Sequence, residues 1–115
     1  MYRTSPGQTL RDTLALNTIP LTSAQRTRLK SLAHHLEPAV IVGKQGVSDN
    51  LINAAQAALA AHELIKVRFN DFKKEKKALA PEIAARAEAH LVGIIGHVAI
   101  LYKQHLDPEK RRIKL

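Results

Sequence analysis

The chain has 115 residues, 45% of them hydrophobic, with 18 Lys and Arg against 10 Asp and Glu for a net charge of +8, and no cysteine. That length buries one core unaided, and the missing cysteine excludes disulfides, thiolate metal sites and a thiol nucleophile. No apolar run reaches the roughly 20 residues that span a bilayer, and no apolar signal core stands at the N-terminus, so a soluble, cytoplasmic protein is expected.

Residues 1–20 mix Ser, Thr, Pro, Gly and Asn without a sustained period and read as a mobile N-terminal extension. Their Arg and Ser content also suits an organelle transit peptide, against which stand Asp12 and the short length. Thr22 followed by Gln25 is a capping-box pattern, and Leu29, Leu32, Ala33 and Leu36 then share a helical face. A first helix, α1, is predicted over about 23–36, stopped by Pro38. Arg26, Lys30 and His34, four apart, form a row along its flank that is either a contact surface or a solvated face.

Ala39 to Val42 form a short strand, β1, that runs into Gly43-Lys44-Gln45-Gly46, and Ser48 is placed to cap the helix that follows. Glycines at both ends admit positive φ and close approach of a ligand, and the amides of the next helix with Lys44 favour an anion. The alternative is a plain strand-to-helix turn that needs two glycines. Leu51, Ile52, Ala55 and Leu59 give α2, over 48–62, its buried stripe. In residues 63–69, Ile65, Val67 and Phe69 alternate with Lys66 and Arg68, a half-buried strand β2 with two cations on its open face.

Asp71 is a candidate cap for α3, which carries Leu79, Ile83 and Ala87, but Pro81 interrupts the pattern. Either a kink, or a short turn through Lys77 before the main helix, is expected. Lys73, Lys74, Lys76 and Lys77 crowd its start, where the helix dipole disfavours cations, so a partner explains them better than helix stability does. Residues 91–95 and 98–103 are strands β3 and β4, joined by a Gly96-His97 turn of the type II′ kind. A basic tail, 104–115, carries Lys110, Arg111 and Arg112 and is expected to dock weakly at most.

The order α1-β1-α2-β2-α3-β3-β4 predicts a single compact α/β domain over 21–103. Right-handed crossovers put α2 and α3 on one sheet face. Because β3 and β4 are apolar at both parities, the other face needs a cover, and α1 is predicted to supply it with Leu29, Leu32 and Leu36.

Catalytic constellations are missing. The six histidines make no H-E-x-x-H zinc motif, no serine has a G-x-S-x-G context, and the loop at Gly43 is too short between its glycines for a Walker A sequence. No enzyme activity, metal, cofactor or small-molecule substrate is expected. Residues 21–103 are basic in themselves, with twelve Lys and Arg against seven Asp and Glu. Nucleic acid or an anionic membrane is the partner such a charge suggests. A membrane surface calls for a basic amphipathic helix with aromatic anchors, which no predicted helix has. Two Tyr and two Phe leave few aromatic stacking platforms, so phosphate contacts must dominate.

Four blocks, Leu32-Ala33-His34, Val40 through Ser48, His62 through Val67 and Ile95 through Lys103, resemble in order the CRM family, the RNA-binding domain of chloroplast RNA splicing and ribosome maturation, and especially its stand-alone bacterial YhbY form. The resemblance implies a four-stranded mixed sheet similar to the C-terminal domain of translation initiation factor 3, in order 1-2-4-3 with β4 antiparallel to the rest. It also implies RNA binding through a G-x-x-G loop, here Gly43, Lys44, Gln45 and Gly46, and association with ribosomal RNA in large-subunit precursors. Ala87-Glu88 stands where the family usually has Thr-Gly. Charge and position add Ser48, Arg26, Lys30, Lys73, Lys74, Lys76 and Lys77 to the expected RNA contacts. The expected role is non-catalytic help in ribosome assembly. The alternatives are an RNA chaperone or intron-splicing cofactor, and, from another class, a protein-interaction module with an acidic partner.

Overall fold

The computed structural model describes residues 20–115, so all but Pro20 of the expected N-terminal extension lies outside the described residues. Among the described residues, three α-helices and a four-stranded sheet follow in the expected order: α1 Ser23–Ala33, β1 Val40–Val42, α2 Asp49–His62, β2 Leu64–Phe69, α3 Lys76–Arg86, β3 His90–Ile95 and β4 Val98–Tyr102. The sheet order is β1-β2-β4-β3, with β1 parallel to β2 and β4 antiparallel to both its neighbours. Strands β1, β2 and β3 therefore point one way, and each successive pair is joined by a helix.

Two cores form because the strands are apolar on both faces. On one face, α2 and α3 bring Leu51, Ile52, Ala55, Leu59, Ala80 and Ile83 against Val40, Val42, Ile65, Val67, Phe69 and Leu101. On the other, Leu29 and Ala33 of α1 pack on Leu64, Val92, Ile100 and Tyr102. The predicted second layer is present, but only one of its three leucines is in it. Leu29 is fully buried, whereas Leu32 and Leu36 are 37% and 39% exposed. The physical reason is helical phase and length. Leu29 and Ala33 are four apart and share the sheet-facing line, and the helix ends at Ala33, leaving Leu36 on the connection that leads to Pro38.

The capping box closes as expected: Gln25 N donates to Thr22 Oγ1 at 3.1 Å and Thr22 N to Gln25 Oε1 at 2.9 Å. At α3 a 3₁₀ turn, Lys73–Glu75, precedes the helix, and Pro81 lies inside Lys76–Arg86. Asp71 does not cap it; the residue before the 3₁₀ turn is Phe72, in the left-handed region at φ 57°. The helix is left through Glu88 at φ 59°, a conformation that costs a residue with a Cβ about 1 kcal/mol or more. A glycine, which the resemblance implies at this place, would relieve that cost.

The C-terminal segment is held more firmly than expected. Glu63, 1% exposed, follows α2 at φ 64°, and its carboxylate accepts from the backbone N–H of His105 (2.6 Å), Arg112 (2.6 Å) and Ile113 (3.1 Å). Ile113 packs against the α1 core. A buried carboxylate with several backbone donors satisfies its desolvation only while that segment stays in place.

Candidate nucleic-acid interface

Three connections separated in sequence meet at the end of the sheet where β1 and β2 finish. The amides of Asn70 and Asp71, after β2, donate to Val42 O at 3.1 and 3.2 Å, and Phe69 N donates to His97 O in the β3-β4 turn at 2.8 Å. Phe72 lies against Gly46, where an added Cβ would come within 3.3 Å of its ring. The loop at 43–46, the corner at 70–72 and the turn at 96–97 are thus one surface.

Within the loop, Gly46 N donates to Gly43 O at 3.0 Å and Ser48 N to Gly46 O at 3.1 Å. The two glycines have different duties. Gly46 is buried and takes φ +67°, which a Cβ disfavours, whereas Gly43 is not in the left-handed region and a Cβ there meets nothing within 4 Å. The expectation that both glycines serve positive φ is corrected: only Gly46 does, and Gly43 leaves bare backbone facing open space. The amides of Lys44, Gln45 and Val47 have no hydrogen-bond partner among the described residues. Lys44 and Gln45 are exposed, and with Ile41, Ser48, Asn50 and Ala54 they line an open groove of about 420 Å³.

The start of α2 is less inviting to an anion than the sequence suggests. Ser48 N is already bonded within the loop, and Ser48 Oγ accepts from Leu51 N at 3.2 Å. Asp49, in the first turn, holds Arg86 at 2.7 Å and supplies negative charge to the helix dipole. The free donors are therefore in the loop itself, ahead of Ser48.

The cations divide into two groups. Lys73, Lys74 and Lys77 are exposed at the start of α3, and Lys76 Nζ donates to Gly96 O and lies 3.2 Å from His97 Nδ1, which ties the cluster to the hairpin turn. His97 is held below its usual 6.5 chiefly by the charge of Lys76, then by loss of solvent, then by Lys73 and Arg68. Arg68 and His97 thus join the surface, although neither was among the expected contacts. Their signal was present: Arg68 sits on the open parity of β2, and His97 lies in the hairpin turn. Arg26 belongs elsewhere. Its Nη1 donates to Leu91 O at 2.8 Å and Val92 O at 2.9 Å, satisfying carbonyls at the irregularity where β3 shifts register against β4. Its role is structural in this arrangement, whereas Lys30, exposed, lays its aliphatic chain over Gly93 on the α1 face of the sheet.

The family model described as the CRS1 / YhbY (CRM) domain matches residues 21–103. The chain belongs to the CRM family. Among its relatives, the probable RNA-binding protein YqeI of Bacillus subtilis is 40% identical over 96 residues, 83% of this chain and 98% of that protein. A probable RNA-binding protein of Pseudomonas aeruginosa is 35% identical over 91 residues, 78% of this chain and 88% of that one. The solution structure of a hypothetical protein from Staphylococcus aureus superposes with a TM-score of 0.68 at 32% identity, covering 83% of this chain and all of that one. No group of three or more metal-ligating side chains occurs among the described residues of this CRM chain, and no described helix is long and apolar enough to cross a membrane.

Proposed function

We propose that this CRM protein is a non-catalytic, cytoplasmic RNA-binding protein that holds ribosomal RNA in precursors of the large subunit, with residues 21–103 as the binding unit. One observation carries the reading: the loop with its free amides and open Gly43 backbone shares a surface with Lys73, Lys74, Lys76 and Lys77, and with Arg68 and His97. Phosphates are the anions such a surface suits. The amides of Lys44 and Gln45 receive one phosphate, Lys44 Nζ adds charge, and the Gln45 side chain hydrogen-bonds a ribose or a base edge. The lysines at the start of α3 widen the electrostatic footprint without reading sequence. Ser48 acts by shaping the loop, and Arg26 contributes by fixing α1 on β3. The relatives described as probable RNA-binding proteins support RNA as the partner.

The test is sedimentation of the tagged protein from native-salt lysate, with and without ribonuclease. Co-migration with large-subunit precursors that digestion abolishes is the expected result; a protein that stays at the top of the gradient in both conditions overturns the ribosomal assignment, and co-migration that survives digestion points to a protein partner. In a direct binding assay, Lys44→Glu should weaken affinity and flatten the log-log salt dependence by about one unit, the loss of one phosphate contact. Unchanged affinity and slope would remove the loop from the interface.

A further inference from the structure

α1 covers only part of the sheet face on which it packs. Its core reaches Leu64, Val92, Ile100 and Tyr102. Beyond it, toward the loop end, one residue from every strand forms a transverse row: Ile41 pairs with Arg68, Arg68 with Val98, and Val98 with Ile95. Ile41 is 53% and Ile95 57% exposed, Arg68 is exposed and Val98 half-buried. With neighbouring strands about 4.8 Å apart, the row is about 14 Å wide. The fold does not require isoleucine at either end, because neither Ile41 nor Ile95 belongs to a core: β1 contributes Val40 and Val42 on the opposite face, and β3 contributes Val92, with Leu91 and Ile94 packed on the other side.

The row is continuous with the loop surface and rimmed by cations. Ile41 lies two residues before Gly43 and lines the same groove as Lys44 and Gln45. Val98 follows His97 directly, with Lys76 against that histidine, and Lys30 lies over Gly93 on β3. The matching ligand is flat and apolar, and is joined to anions at its edge. An unpaired nucleotide has this character, whereas a duplex keeps its base faces inside its own stack. The Arg68 guanidinium, between Ile41 and Val98, is a planar cation on which a base can stack without an aromatic side chain. This answers the shortage of aromatic residues in the composition.

We propose that the row Ile41–Arg68–Val98–Ile95 is a base-stacking platform that receives one or two unpaired nucleotides next to the phosphate held at the Gly43–Gly46 loop. The proposal rests on the RNA reading above and deepens it. The experiment titrates the full chain with a short single-stranded RNA and with a duplex of matched phosphate number, using Arg68→Lys, which keeps charge but loses the plane, and the double variant Ile41→Ala, Ile95→Ala at exposed positions. The double variant should bind the single strand roughly tenfold more weakly, in keeping with the usual worth of a stacked base, with unchanged duplex affinity and an unchanged salt slope, and Arg68→Lys should weaken the single strand more than the duplex. If both keep full single-strand affinity, or lose affinity for the two RNAs equally, the platform is refuted while the loop reading stands. A wild-type chain that binds neither RNA overturns the RNA reading itself.

Discussion

Substituting alanine at the two loop glycines separates folding from binding. At Gly46 the new Cβ sits at φ +67° and 3.3 Å from Phe72 Cε2. The left-handed backbone costs about 1 kcal/mol or slightly more. Phe72 is 40% exposed, so its ring has room to yield and the clash adds little. Gly46→Ala should therefore lose about 1–2 kcal/mol, which for a domain of this size lowers Tm by roughly 4–15 °C. At Gly43 the Cβ meets nothing within 4 Å and φ is not in the left-handed region, so Gly43→Ala should change stability by no more than about 0.5 kcal/mol. In the proposed binding mode its methyl nevertheless occupies the space from which a phosphate would reach the Lys44 and Gln45 amides, and RNA affinity should fall by about tenfold, the equivalent of one charge-assisted hydrogen bond. Thermal unfolding by circular dichroism and filter binding of both variants provide the measurements. Wild-type affinity in Gly43→Ala would refute close approach at the loop, and a wild-type Tm in Gly46→Ala would refute the conformational argument.

Glu88→Gly relieves the left-handed backbone at φ 59° and sacrifices only a 3.8 Å contact with Lys103 between partly exposed groups, so Tm should rise by an amount equivalent to about 0.5–1 kcal/mol; a fall would show that the side chain matters more than the backbone. Glu63→Gln replaces one acceptor oxygen by a donor facing backbone N–H groups, and a loss of about 1.5–3 kcal/mol is expected. Amide exchange at His105, Arg112 and Ile113 should accelerate, and unchanged protection there would refute the anchoring role of Glu63. Burial, then the charge of Glu63, raises Tyr102 to about 12 from an ordinary 10, against an opposing effect of Arg111. The folded state thus favours the neutral phenol, and this stability is complete below pH 10 and lost as pH rises from 10 through 12, amounting to about 2–3 kcal/mol. Tyr102 Oη is buried without a hydrogen-bond partner among the described residues, so Tyr102→Phe should fold at least as stably at pH 7 and lose less stability than wild type between pH 10 and 12. Equal losses would show that Tyr102 is not the titrating group.

Local pattern in the chain determined the elements and their order. The Thr22 and Gln25 box, the alternation of Ile65, Val67 and Phe69 with Lys66 and Arg68, and glycine at 96 each act over a few residues, so their outcome is legible without knowing the rest of the chain. The apolar parity of β3 and β4 likewise announced a cover on both faces, which the two cores supply. The loop at Gly43–Gly46 was visible for the same reason, as an apolar strand running into two glycines and a helix cap.

Partners across tens of residues were not determined this way. Periodicity says which face a cation occupies but not which backbone carbonyls lie opposite it, so Arg26, indistinguishable in sequence from Lys30, is engaged by Leu91 and Val92 through a register shift in β3. Nor does composition reveal that a glutamate after α2 becomes the buried anchor of Arg112 and Ile113, since its burial depends on a segment almost fifty residues away. The same holds for the row Ile41–Arg68–Val98–Ile95: each residue looks ordinary on its own strand, and only the pairing of β1, β2, β4 and β3 aligns them beside the loop. Local sterics and hydrogen bonding choose helix, strand or turn, while the closing of long-range pairs decides which exposed side chains form one surface.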